Sequence, residues 1–237
     1  MIIIILFSFN NANDLAFPMN GFSLRWYIEL FGSKQFLDSI KNSVLVAVIA
    51  SVFSVIIGTI TSFVLNRYKF RFKNILSMFY IGPMTLPGLI LGIAILIFLT
   101  FLNVRLSLIT VAMGHILFCI PFVLLIMNSR LENLDFTIEE AAIDLGANPF
   151  QVFVKVIFPL IKSSLLGAML ITFALSFDEF VVTYFIIGAK NTLPLLIWGM
   201  MRLGVSPVIN TISSLMIIVS IGLILISYKI LKINIKF

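Results

Sequence analysis

Charge, cysteine and histidine are all scarce in this chain. Of 237 residues only 11% are charged, against 61% hydrophobic, and the mean hydropathy is +1.17. A soluble domain carries about 25% charged residues, so a water-soluble globular fold is excluded. The single cysteine, Cys119, lies inside an apolar run. No internal disulfide can form, and no metal cluster is suggested. The sequence has no H-E-x-x-H, no G-x-S-x-G and no phosphate-binding glycine loop. Without a phosphate-binding loop the chain does not itself hydrolyse ATP. A serine–histidine protease inside the membrane would need a serine beside His115, and Ser107 or Ser176 could be chosen only arbitrarily.

What the chain does have is long apolar runs. A spanning helix needs roughly 20 apolar residues, and the spans read as Ser43–Leu65, Ile75–Phe101, Ser107–Met127, Ser164–Ile187 and Thr211–Ile230. The second is interrupted by Pro83, Pro87 and Gly88. Such a break either lines a buried, wet cavity or is a plain kink. Short helices are expected from Ser23 to about Gly32 and from Pro194 to Met201, in polar segments placed outside. Met1–Leu6 is apolar but too short to span, and it lacks the basic start and cleavage site of a signal peptide.

The net charge is +6. Arg67, Lys69, Arg71 and Lys73 alternate with Tyr68, Phe70 and Phe72. A nucleic-acid patch would look similar, but in a polytopic chain this is a short cytoplasmic loop obeying the positive-inside rule. With the C-terminus inside, Arg67, Lys69, Arg71, Lys73, Arg130, Lys155, Lys162, Lys229, Lys232 and Lys236 face the cytoplasm. Arg25, Lys34, Lys41, Arg105, Lys190 and Arg202 face outward, with Asp14 in the first outer segment.

One polar-studded stretch between apolar runs, Thr137–Pro159, carries clear structural signals. Thr137 with Glu140 reads as a capping box, and Glu139 and Glu140 suit the positive end of the helix dipole. Gly146 sits where a left-handed C-terminal cap is expected. Asn148 then offers a new N-cap and Pro149 a first helical position. The residues spell a short helix, a glycine corner and a second helix. Ala141 and Ala142 leave the first helix with little bulk, so another protein can approach closely. Taken alone, these signals fit an ordinary cytoplasmic linker equally well.

The order Glu140-Ala141-Ala142, then Gly146, then Val156-Ile157-Phe158-Pro159 resembles the EAA loop of ABC importer permeases. Val156 and Phe158 replace the Ile and Leu of the family's I-x-L-P ending. The runs Gly21–Tyr27, Ser129–Leu131, Leu175–Thr183 and Gly204–Asn210 resemble the spermidine/putrescine importer permeases and their near relatives. The resemblance implies an all-α polytopic membrane protein, a type I ABC importer transmembrane domain. It would have about five full spans and a truncated first span, with 1–237 as one permease domain. Met1–Leu6 resembles the outer end of the family's first span, so residues upstream of Met1 are expected to complete it. The resemblance also implies a multi-pass protein of the bacterial inner membrane. Its partners would be lipid, a homologous permease, two ATPase subunits that bind the ATP, and a soluble binding protein. It implies no cofactor and no nucleic acid on this chain. Glu139, Glu140, Ala141, Ala142, Gly146 and Pro159 would dock and couple the ATPase. The chain departs from many polyamine permeases at Gly88, where those carry an acid after the second proline. Iron, opines or similar small solutes therefore stay open as alternatives, as do a stand-alone carrier and a membrane-embedded enzyme.

Acids inside a span are costly and mark functional sites. Asp178 and Glu179 are such a pair, and on a helix neighbours point about 100° apart. Thr172, Ser176, Glu179 and Thr183 share one helical stripe. Glu179 is therefore expected on the solute pathway with Ser176 and Thr183, and Asp178 at a helix or subunit interface. A purely structural pairing of both acids is the alternative. His115 lies at a depth similar to Glu179, roughly 12 Å at ~1.5 Å per residue. It is grouped with the pathway residues, though a hydrogen-bonded packing role is the simpler reading.

Overall fold

The computed structural model describes residues 1–12, 19, 21–135, 137–204 and 206–233, the last two through their backbone. Asp14, Lys236 and the side chain of Lys232, which entered the charge count, lie outside the described residues, as does Val205 of the Gly204–Asn210 run. Among the described residues every regular element is a helix, apart from one isolated bridge between Asn10 and Phe22.

Helix α1 (Ile2–Phe7) lies against the last helix, where the Ser214 hydroxyl donates to the Ile4 carbonyl at 3.4 Å. Helix α2 (Arg25–Gly32) is pinned by Trp26, whose indole N–H donates to the Asn10 carbonyl at 2.7 Å. Helix α3 (Lys34–Arg67) starts well before Ser43, because Ser33 Oγ accepts the Phe36 N–H and caps it. At ~1.5 Å per residue it exceeds the ~30 Å hydrocarbon core of a bilayer.

The interrupted second span is two helices, α4 (Lys73–Thr85) and α5 (Gly88–Phe101), set 114° apart. Pro83 stays inside α4, and the break falls at Leu86, whose extended backbone is what a following proline enforces. Helix α6 (Leu108–Glu132) is unbroken despite Pro121. After the short α7 (Thr137–Asp144), three pieces form one rod from Pro149 to Asp178: α8 (Pro149–Val152), a π turn (Phe153–Ile157) and α9 (Phe158–Asp178). The expected helix to Ile187 is corrected here. It stops at Asp178, Glu179 is extended (ψ 116°), and a new helix, α10 (Val181–Ile186), follows. Helices α11 (Leu193–Leu203) and α12 (Pro207–Ile233) are the last elements among the described residues.

Among the described residues four helices, in α3, α6, the 149–178 rod and α12, are long and apolar enough to cross a membrane, or five crossings if α4 and α5 count as one. Helices α3, α6 and α9 pack on one another, and α12 covers α9. Small residues allow the close approaches, as is usual where helices meet in lipid. A Cβ on Gly58 of α3 would lie 2.7 Å from Val123 Cβ of α6. Large apolar side chains such as Met78, Phe79, Phe98 and Phe101 point outward, as lipid or another subunit would require.

The bundle has two distinct ends. At one end Arg67 closes α3, Lys73 opens α4, Arg130 lies in the last turn of α6 and Lys155 in the π turn. Lys69 and Arg71 lie in the link between α3 and α4, and Arg67 pairs with α7: this is the basic end. At the opposite end Asn42 donates to the Asn191 carbonyl at 2.8 Å, and Ser43 Oγ accepts the Leu193 N–H at 2.8 Å.

Candidate functional site

Two places gather the expected residues: the segment 137–159 at the basic end, and the helix break at Asp178–Phe180.

Helix α7 begins at Thr137, but Thr137 is already inside it. The acceptor at this end is Asp135, whose Oδ1 takes the Thr137 N–H at 3.0 Å. That bond holds the exposed Asp135 carboxyl below its usual range. The capping role expected of Thr137 thus falls two residues earlier. The C-terminus is as expected. Gly146 has φ 85°; its N–H bonds to the Ile143 carbonyl at 2.8 Å and the Ala147 N–H to the Ala142 carbonyl at 3.0 Å, a Schellman motif. Asn148 and Gln151 then cap each other reciprocally at 2.9 and 3.0 Å, with Pro149 in the first turn.

Pro159 explains the π turn. A proline has no N–H and its ring crowds the carbonyl four residues back, here that of Lys155. The helix widens instead, and the Phe158 N–H reaches the Phe153 carbonyl. Arg130 of α6 braces the next turn, donating from Nε (3.3 Å) and Nη2 (2.9 Å) to the Leu160 carbonyl.

Charge and rings tie this segment to α3. Arg67 forms an ion pair with Glu139 of α7. Its guanidinium lies 5.8 Å from the Phe63 ring, and Phe63 meets Phe153 of the π turn edge-on at 5.8 Å. Asn128 Oδ1 accepts from Ser62 Oγ and from Asn66 Nδ2 (2.9 Å), joining α3 to α6 one turn deeper. Ala142 and Ala147 pack inward beside Leu131 and Val152. The outer side of the segment shows Glu140, Ala141, Ile138, Leu145 and Phe150 to its surroundings.

At the break, Glu179 leaves the helix and its Oε1 accepts the Val182 N–H at 2.9 Å, capping α10. Because Glu179 is not helical, the 100° argument fails: Asp178 and Glu179 line one cavity of about 250 Å³, walled by Phe118, Ile171, Ala174 and Leu175. Asp178 also edges a groove beside Ser213 and Ser220 of α12. Ser176 and Thr183 are buried instead and converge on His115, with Oγ–Nδ1 and Oγ1–Nε2 distances of 2.7 Å. Thr172 is also buried, donating back to the Ala168 carbonyl at 2.8 Å. The expected stripe is therefore a packed seam against α6, and only the two acids reach open space.

Sequence reasoning passed over Arg67, Arg130 and Asp135 as contact residues. Arg67 and Arg130 had been counted only as basic residues of one side. The local sequence at the break is Asp178-Glu179-Phe180, followed by three β-branched residues of modest helix propensity, Val181-Val182-Thr183, which open α10.

Residues 50–235 match the family described as "binding-protein-dependent transport system inner membrane component". The chain is 33% identical over 232 residues to the spermidine/putrescine transport system permease protein PotC of Escherichia coli, covering 97% of this chain and 88% of that one. It is 33% identical over 225 residues to the putrescine permease PotI of the same species, covering 92% and 80%. Among solved structures it resembles the methionine ABC transporter MetNI in inward-facing form (TM-score 0.69, 18% identity, 85% of this chain and 97% of that one). It also resembles a bacterial importer of the polysaccharide alginate (TM-score 0.72, 12% identity, 99% and 89%). The chain belongs to the binding-protein-dependent transport system inner membrane components, the multi-pass, non-catalytic permease subunits of ABC importers.

Proposed function

We propose that this chain is a permease subunit for polyamines, of the spermidine and putrescine type. The observation that carries the solute class is its likeness to PotC and PotI along almost its whole length. The two acids at the break fit that reading: an aliphatic chain ending in ammonium groups suits apolar walls that carry carboxylates. Gly88 in place of an acid does not remove either of them.

The chain works with a homologous permease, two ATPase subunits that bind the ATP, and a soluble binding protein. Residues 137–159 of its single transmembrane domain are the coupling segment. Glu140, Ala141 and the exposed Ile138, Leu145 and Phe150 meet the ATPase, while Glu139, Ala142, Gly146 and Pro159 hold the segment's shape and its tie to the spans. The basic end faces the cytoplasm and takes the C-terminus with it, as the positive-inside rule favours. Glu179 and Asp178 face the solute, and Ser176, Thr183 and His115 support them. Expression of the chain with its partner subunits in bacteria lacking polyamine importers tests this. Restored uptake of radiolabelled putrescine or spermidine is expected. No uptake of either, with a different small solute taken up, overturns the polyamine reading.

A further inference from the structure

The break at Asp178–Phe180 has no proline or glycine to make it, yet its geometry is held from several sides. Glycines admit α10 between its neighbours. A Cβ on Gly114 of α6 would lie 2.6 Å from Ile186 Cδ1, and one on Gly92 of α5 would lie 2.7 Å from Phe185 Cδ2. At the far end of α10 the Thr110 hydroxyl lies 2.8 Å from the Ile186 carbonyl and 2.7 Å from that of Ser107, its one proton shared between them. At the near end lies His115, adjoining Gly114 and itself 1% exposed. It takes one bond from each side of the break, Ser176 at the end of α9 and Thr183 within α10.

Proton counting fixes the directions of these bonds. Thr183 has one hydroxyl proton, and its Oγ1 lies 3.0 Å from the Glu179 carbonyl, which can only accept. If Thr183 donates there, it must accept from His115 Nε2–H. Nδ1 is then the acceptor, and Ser176 donates to it. That tautomer satisfies all three contacts, whereas the other leaves the Glu179 carbonyl without Thr183. The chain runs Ser176 to His115 to Thr183 to the Glu179 backbone, and the Glu179 side chain closes onto Val182.

We propose that His115 is a positioning residue: it bridges the break between α9 and α10 and so sets where the Glu179 carboxylate is presented to the solute. It does not touch solute itself, since both ring nitrogens are engaged and the side chain is enclosed. The functional half of this proposal rests on Glu179 facing the solute.

The test uses the whole complex in lipid nanodiscs and proteoliposomes, with His115→Leu, His115→Gln and Glu179→Gln. Leu fills the site without hydrogen bonds; Gln can still donate to Thr183. Two quantities are read: amide exchange across 179–187, and putrescine imported per ATP hydrolysed, which does not depend on how much complex assembles. His115→Leu should speed exchange in that segment and lower putrescine per ATP at least about fivefold, the worth of one buried hydrogen bond. His115→Gln should restore both to within about twofold. Should His115→Leu fail to assemble, Thr183→Val removes one of the two bridging bonds and should give the same pattern. Unchanged exchange in His115→Leu overturns the bridge, as does a His115→Gln variant no better than Leu. Wild-type transport in Glu179→Gln overturns the solute reading and with it the functional half of the proposal, while the exchange data judge the bridge separately.

Discussion

The guanidinium of Arg67, at the last turn of α3, is paired with the carboxylate of Glu139, in the first turn of α7. The two side chains are 7% and 17% exposed, so the pair lies between the surface and buried regimes. Removing one partner should cost about 2 kcal/mol, between the values for exposed and buried pairs. It joins α7 to α3, the longest helix among the described residues. In the coupling role proposed for residues 137–159, a push on α7 would reach α3 through this pair and α6 through Asn128. Arg67→Glu and Glu139→Arg should each cut ATP-driven uptake strongly with the chain still in the membrane. The double swap should recover a substantial part of it. Uptake normalised to membrane protein measures this, and a double variant no better than the singles argues against the pairing as a coupling contact.

Gly146 permits a second test at the same end. Among the described residues nothing lies within 4 Å of a Cβ built there, so the cost of a substitution comes from its own backbone, at φ 85°. Gly146→Val should cost about 1–2 kcal/mol locally and uncouple ATP hydrolysis from uptake. Gly146→Asn, which tolerates the left-handed region, should stay near wild type. Equal behaviour of the two in an ATPase–uptake comparison contradicts the cap as the reason for glycine.

At the break, Glu179→Gln keeps an oxygen for the Val182 N–H and removes only the charge. For a polycationic solute this should depress uptake at least about tenfold, or ~1.4 kcal/mol. Glu179→Ala loses the cap as well and should fall further. Asp178→Asn takes the second carboxylate from the same cavity and should lower uptake too, by less than Glu179→Gln, since Asp178 also edges the groove beside α12. Transport assays with radiolabelled putrescine separate the three. A loss confined to Asp178→Asn assigns the solute contact to the other acid.

The α3–α6 contact is a packing test. Gly58→Val puts new atoms where Val123 already sits, and overpacking of this kind costs about 1–3 kcal/mol. A lower melting temperature in detergent is expected. A paired Val123→Ala should recover part of it, and no recovery means the strain is relieved elsewhere.

The spans and the helix, glycine corner and second helix of 137–159 were legible because their signals are local. Apolar length marks a helix, and Gly146, Asn148 and Pro149 act within a few residues. The helix ends were not legible to the same degree. Ser33 starts α3 far into a stretch read as polar and external, since a cap needs only one hydroxyl. The break after Asp178 was missed because no proline or glycine announces it; it is held by His115 and Thr110 from α6, far away in sequence. Periodicity grouped Ser176, Glu179 and Thr183 on one face, which presupposes an unbroken helix. Once Glu179 leaves the helix, the hydroxyls pack inward and both acids reach the same cavity. Arg67 looked like any cytoplasmic basic residue, because its partner lies 72 positions along the chain.

The central claim is that this permease, driven by an ATPase docked on residues 137–159, carries polyamines. The complex, with its partner subunits and binding protein, is reconstituted in proteoliposomes, and radiolabelled putrescine and spermidine are supplied on the binding-protein side. The account predicts accumulation that requires ATP and the binding protein and is lost in Arg67→Glu. Accumulation that proceeds without ATP, or none of either polyamine by a complex that hydrolyses ATP, contradicts it.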